Sequence, residues 1–193
     1  DEEEDYDLPE YDAKCEALIP VLEREQKAFF HAHRADDIFT AIRIAKEFKL
    51  DYVIVHCTEG HLVRDILAAE KVKAIAGPIL CDRSKPELKN LSVEGPALLH
   101  EAGIHAALCT DHPVIPIQYL PLCAGLCMGA GLEREEALKA ITIYAAEAAG
   151  IDDKVGSLAP GKDADLVIYE EDADPCGPYA RPSMVFINGQ QVV

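Results

Sequence analysis

The chain has 193 residues, 18 basic against 35 acidic, for a formal net charge of −17 at pH 7, and 49% of it is hydrophobic. That is enough for a buried core in one or two domains, while the charge argues against nucleic acid and anionic membrane as partners. No apolar run approaches the roughly 20 residues of a membrane span, and the acidic start lacks the basic flank and apolar stretch of a signal peptide, so a soluble, cytoplasmic protein is expected. The seven cysteines are scattered, odd in number and never spaced as CxxC, and read as reduced, buried thiols.

Eight of the first twelve residues are Asp or Glu and none is basic. Residues 1–14 therefore read as a solvated acidic tail or a cut loop. The start at Asp1 rather than Met raises the expectation that an upstream segment was removed or lies on another chain. A short helix is expected at 13–25, and then a regular alternation begins. Strand 28–33 leads to a helix at 36–48 with Asp36 as N-cap and with Ile38, Ile42, Ala45 and Phe48 on one face. Strand 52–56 is a near-continuous apolar run of the kind a parallel sheet buries on both faces. It is followed by a helix at 61–70 with Leu62, Ile66 and Leu67 inward, and by a strand at 73–77. A long loop at 78–95 carries Asp82, Arg83, Ser84 and Lys85, and loops of that length are often functional. A helix at 96–102, a strand at 104–110 and helices at 120–128 and 133–149 complete 15–150, the expected main unit. From 151 the pattern changes to Gly, Pro and short β runs at 164–169, 184–187 and 190–193, the last two joined by an Asn188-Gly189 turn, so 151–193 reads as a small β module.

His31, His33, His56 and Asp111 all stand at strand ends, where parallel α/β folds place their chemistry. Four βα units over about 120 residues, against about 250 for a closed barrel, make about half a (β/α)8 barrel.

HAHRADD at 31–37, VIVHCTEGH at 53–61, LCTDHP at 109–113 and GSLAPGKDADLVIY at 156–169, with a terminal VFINGQ hairpin, resemble the metal-dependent amidohydrolase superfamily. The combination is most similar to its imidazolonepropionase-like branch. The resemblance implies an α/β fold: a half TIM barrel of strands 5 to 8, plus the C-terminal strands of a small β module. It also implies one or two divalent ions, zinc above others, with His31 ending strand 5, His56 ending strand 6 and Asp111 ending strand 8 as ligands. The superfamily's strand-1 HxH pair and strand-4 Lys or Glu have no counterpart here. HAH at 31–33 is not taken for that pair, because only three strands follow it rather than seven. Ile143-Tyr144-Ala145-Ala146 stands where many relatives carry Asn-Pro-Ala, a difference expected to bear on helix capping more than on catalysis.

A zinc site takes neutral imidazoles and carboxylates and, when catalytic, keeps a position for water, whose pKa the ion lowers toward 7. Asp111 would take that proton and return it to the leaving nitrogen. His33, His61 and His112, with Arg34 and Arg83 as guanidinium forks for a carboxylate, are the candidates for substrate contact. His100 and His105 are assigned to structure. Cys123 and Cys127, one helical turn apart, read as small core residues, and Cys57 and Cys109 have no triad around them. No GxGxxG or P-loop is present.

The expected activity is hydrolysis of a non-peptide carbon–nitrogen bond in a small amide, cyclic amide or imide. It would be complete only with an N-terminal half present as another segment or chain, with homo-oligomerisation left open. The competing reading is an inactive fragment serving as a scaffold or partner domain. An open flavodoxin-like sheet would need a phosphate-cradling glycine turn after the first strand, which HAHRADD is not.

Overall fold

The computed structural model describes residues 10–193; residues 1–9, most of the expected acidic tail, lie outside the described residues. The single helix expected at 13–25 is two short ones, α1 (Ala13–Glu16) and α2 (Ile19–Leu22). Pro20 accounts for the break, since it cannot donate to the preceding turn and its ring crowds the carbonyl four residues back.

The main sheet has four parallel strands in sequence order: β1 (Ala28–Ala32), β2 (Tyr52–His56), β3 (Ala74–Ala76) and β4 (Ala107–Leu108). Between them run α3 (Ala35–Glu47), α4 (Arg64–Ala69), preceded by a 3-10 turn at Gly60–Val63, and α5 (Gly95–Glu101). The helices α6 (Leu120–Gly129), α7 (Arg134–Ala140) and α8 (Ile143–Ala149) follow β4. Val53 and Ile54, adjacent on β2, are both fully buried, as a parallel strand covered on two faces requires. Ile38, Ala41, Ile42 and Ala45 form the buried stripe of α3 at helical spacing.

Several boundaries differ from expectation for identifiable reasons. Asp36 does not cap α3. Arg34 holds the cap position and pairs with the Asp36 carboxylate through two bonds of 2.9 Å, while Glu59 Oε2 accepts the Ala35 N–H at 2.8 Å from beyond the end of β2. Phe48, Leu62 and Ile66 are 52%, 57% and 50% exposed, so only Leu67 of the α4 trio faces the core. The strand expected at 104–110 pairs only at Ala107 and Leu108, although Ile104 and Ala106 are buried beside it. The helix expected at 133–149 splits between α7 and α8, where the Thr142 hydroxyl donates to the Leu138 carbonyl at 2.7 Å in competition with the backbone ladder.

The sheet curls. Lys27, immediately before β1 on one edge, donates to the Glu147 carbonyl at 2.6 Å near the C-terminus of α8, which packs at β3 and β4. Among the described residues β1 and β4 are the two edges of this sheet. A separate antiparallel sheet of β5 (Leu166–Tyr169), β6 (Pro182–Ile187) and β7 (Gln190–Gln191) closes on the Asn188-Gly189 turn, whose two positive φ angles of 51° and 76° are those of a tight hairpin. Cys123 and Cys127 are fully buried in the core beside Ala124 and Ala137. No helix among the described residues is long and apolar enough to cross a membrane.

Candidate metal centre

β1 and β2 pair in register with Ala32 opposite His56. Strict alternation puts His31 and His33 on one face of the sheet and gives His56 the face of Ala32. The backbone removes that conflict: His56 has φ 73° and Cys57 φ 45°. Turning φ from the roughly −120° of a parallel strand into the left-handed region carries the Cβ to the other side of its peptide plane. The His56 ring thus arrives beside His31 and His33, with ring centroids 4.3 and 4.5 Å away, and one ligating atom from each of the three lies within 4.8 Å of the others. A left-handed histidine costs on the order of 1 kcal/mol or more, and strain of this kind gathers at functional sites.

Each ring is oriented from behind. His56 Nδ1 donates to the Gly77 carbonyl at 2.7 Å; a carbonyl can only accept, so the proton sits on Nδ1 and the Nε2 lone pair is left free. His33 Nδ1 meets the Thr58 hydroxyl at 2.8 Å, and His61 Nδ1 donates to the Thr58 carbonyl at 3.0 Å. Gly77, at φ 129°, lies so close to the Cys109 carbonyl that a Cβ there would collide with it, which explains why the residue holding His56 has no side chain.

Burial, helped by the neighbouring His56 and His31, lowers the His33 pKa to about 4. Burial also lowers His56, against the opposing pull of the Gly77 carbonyl and the Asp111 charge, and it lowers His61. These rings are therefore held neutral near pH 7, the form in which imidazole binds a metal. Lys85 and Glu87 from the long loop act on His33, and Lys85 on His56, so that loop reaches the centre.

Asp111 stands just beyond β4 in a left-handed conformation, φ 51°, exposed and near enough for its charge to act on His56. His61 is buried one turn past β2 and His112 is exposed beside Asp111. Arg34 is turned away into its pair with Asp36, and Arg83 braces the loop by donating to the Leu91 carbonyl at 2.7 Å. Thr58, Gly77 and Glu87 were not singled out from the sequence, and Lys85 only as part of the long loop. Gly77 directly follows β3 and Thr58 stands two residues past β2, and that position is the signal that could have found them.

The thiols are not poised for attack, since burial pushes Cys57 up to about 12 and Cys109 to about 11. A cleft of about 790 Å³ between α7, α8 and β5 lies away from the histidines and is lined mostly by apolar side chains such as Leu138, Ile141, Leu158 and Leu166. The histidine centre, with its convergent polar groups, is the better candidate for chemistry.

The model of the Amidohydrolase family matches residues 25–192, and the chain belongs to that family. A solved amidohydrolase from Thermotoga maritima MSB8 is 41% identical with a TM-score of 0.89, covering 98% of this chain and 49% of its own. The amidohydrolase tasK of Hapsidospora irregularis is 29% identical over 188 residues, 94% of this chain and 19% of that protein. An imidazolonepropionase of Geobacillus kaustophilus is 49% identical over 74 residues, 37% of this chain and 18% of that protein. The chain thus spans about half the length of the solved relative and about a fifth of the two curated ones.

Proposed function

We propose that this chain is the carboxyl-terminal half of a metal-dependent hydrolase acting on a carbon–nitrogen bond of a small amide, cyclic amide or imide, with β1 to β4 as barrel strands 5 to 8. The observation that carries the reading is the convergence of His31, His33 and His56 at the carboxyl ends of β1 and β2, two of them fixed through Nδ1 by Gly77 and Thr58. A donor set of neutral imidazoles with the Asp111 carboxylate suits zinc or a similar divalent ion, and such an ion when bound supplies Lewis acidity and a water of lowered pKa.

The chain's own groups do the rest. Gly77 keeps the His56 Nε2 lone pair presented, and Thr58 occupies the Nδ1 of His33. Asp111 accepts a proton from the attacking water and returns it to the departing nitrogen, without which an amine anion would have to leave. Lys85, whose charge acts on His33 and His56, and His112, next to Asp111 in the chain, are the candidates to bind a substrate carboxylate or carbonyl. His61 and Arg83 hold the frame around the site.

The open sheet supports the need for an N-terminal half: β1 and β4 are edges, Phe29 on β1 is 51% exposed, and the apolar cleft beside β5 has the lining of a packing surface. The seven unpaired cysteines support a reducing, cytoplasmic setting.

Asp111→Asn, made in the chain assembled with its N-terminal half, tests the reading. Asn tolerates the left-handed backbone at this position, so the fold and bound metal are expected to persist while turnover of a cyclic amide falls by at least a thousandfold. Unchanged turnover in Asp111→Asn, or a metal-free assembly with no activity, would overturn the proposal and leave the scaffold reading.

A further inference from the structure

A second group of metal-ligating side chains lies at the other end of the sheet. His100 in the last turn of α5, His105 two residues before β4 and Glu136 on α7 bring one ligating atom each to within 4.8 Å of one another. His31 and His56 mark the carboxyl ends of the strands, whereas His105 precedes β4 and marks the amino end. The group therefore has no part in the chemistry proposed above.

Its distances are informative. His100 Nδ1 and His105 Nδ1 stand 3.4 and 3.7 Å from the same oxygen, Glu136 Oε2. Charge-assisted N–H···O bonds close to about 2.7 to 2.9 Å. Two ligands sharing a tetrahedral zinc at about 2.0 to 2.1 Å stand roughly 3.3 Å apart. Each nitrogen thus stands from the oxygen nearer to the spacing of two ligands on one ion than to that of hydrogen-bond partners, and all three atoms lie within 4.8 Å of one another.

Glu136 is prepared for such a role. Its side chain is only 12% exposed, its Oε1 is held by Lys139 at 2.9 Å, and its Oε2 accepts the Tyr144 hydroxyl at 2.6 Å, which leaves Oε2 a further lone pair. Lys139 is shared with Glu135 at 2.8 Å, so one ammonium serves two carboxylates and the cluster carries an excess negative charge. Tyr144 and Lys139 thus act as the outer partners that orient a ligating carboxylate.

We propose that His100, His105 and Glu136 form a peripheral binding site for a divalent transition-metal cation, zinc or its like, which fastens the α5–β4 connection to the α7–α8 corner. Two imidazoles select zinc, cobalt, nickel or copper over magnesium and calcium, which prefer oxygen. The fourth position opens to solvent on the His105 side, where that side chain is 53% exposed.

The test is a zinc titration of the metal-stripped full chain, followed by the side-chain nitrogen resonances of its histidines and by bound-metal stoichiometry. The expected result is that the Nδ1 resonances of His100 and His105 shift together and saturably, and that His105→Ala lowers the stoichiometry by one ion and weakens the response of His100 at least tenfold. The signals of His31, His33 and His56 should respond unchanged in that variant, which separates this site from the candidate catalytic centre. His100→Gln provides a second variant should His105→Ala fold poorly. If His100 and His105 stay silent at excess zinc, or parent and variants bind equal numbers of ions, the site does not exist.

Discussion

Acid should loosen this protein through its histidine centre before general carboxylate protonation does. His33 titrates near 6.5 in the unfolded chain but only near 4 in the folded one, because burial and the neighbouring His56 and His31 oppose its charge. As pH falls below about 6.5 the unfolded state gains a proton the native state refuses, so stability declines through that window and the loss is complete below about 4. Such a displacement is worth on the order of 3 kcal/mol at about 1.4 kcal/mol per pH unit. The exposed His31 side of the cluster admits solvent, and screening reduces the figure to on the order of 2 kcal/mol. His56 adds a contribution of the same sign, partly cancelled by Asp111 and Gly77. Urea unfolding of the metal-free chain between pH 7.5 and 4, parent against His33→Gln, measures it, because carboxylate effects are common to both and cancel. The parent should lose on the order of 2 kcal/mol more than the variant across that range. Parallel curves would show that the imidazoles are not held neutral by their surroundings.

Three further outcomes follow from the same geometry. Thr58→Val keeps the side-chain shape but removes the hydroxyl facing His33 Nδ1; calorimetric zinc titration should find affinity at the histidine centre about 10- to 100-fold weaker, with the sheet intact by circular dichroism. Gly77→Ala drives a Cβ into the Cys109 carbonyl at a φ of 129°, and should cost more than about 2 kcal/mol in chemical unfolding while displacing the His56 Nδ1 proton resonance. Asp111→Ala should be destabilised by about 1 kcal/mol relative to Asp111→Asn, since Asn tolerates the left-handed φ of 51° and Ala does not; equal unfolding midpoints would contradict that account.

The parallel βα alternation was legible because burial leaves a direct trace in composition: YVIV on β2 and the Ile38, Ile42, Ala45 stripe on α3 have one consistent burial solution each. The terminal hairpin was equally legible from Asn188-Gly189, whose backbone demands are local. The failures share a different cause. The cap on α3 comes from Glu59, 24 residues from the N–H it accepts, so nothing near Asp36 could reveal that another carboxylate would win the position. The exposure of Leu62 and Ile66 was hidden likewise, because helical periodicity marks an apolar face without saying what, if anything, packs on it. At the centre, His31 and His56 could be found from their strand-end positions. That the His56 ring meets both His31 and His33 depends on the backbone at His56, and its sign of φ is not written in the residue type.

The two histidine clusters divide the labour of the sheet between its ends. At the carboxyl ends the rings are fixed by single bonds to Gly77 and Thr58, the backbone at His56, Cys57 and Asp111 is strained, and one ring remains exposed, so donors are presented outward at a cost in stability. At the amino end Glu136 gathers Lys139, Tyr144 and two imidazoles across three helices and the approach to β4, without a left-handed residue among them. The strands between the two ends are short, three residues in β3 and two in β4, which leaves little sheet to isolate one end from the other. Removing a tie at Glu136 should therefore reach the opposite end. In Glu136→Gln, which weakens the pairing with Lys139 and with a bound cation, hydrogen exchange of the Ala76 and Cys109 amides should accelerate at least tenfold, whereas unchanged exchange would mean that the two ends are held independently.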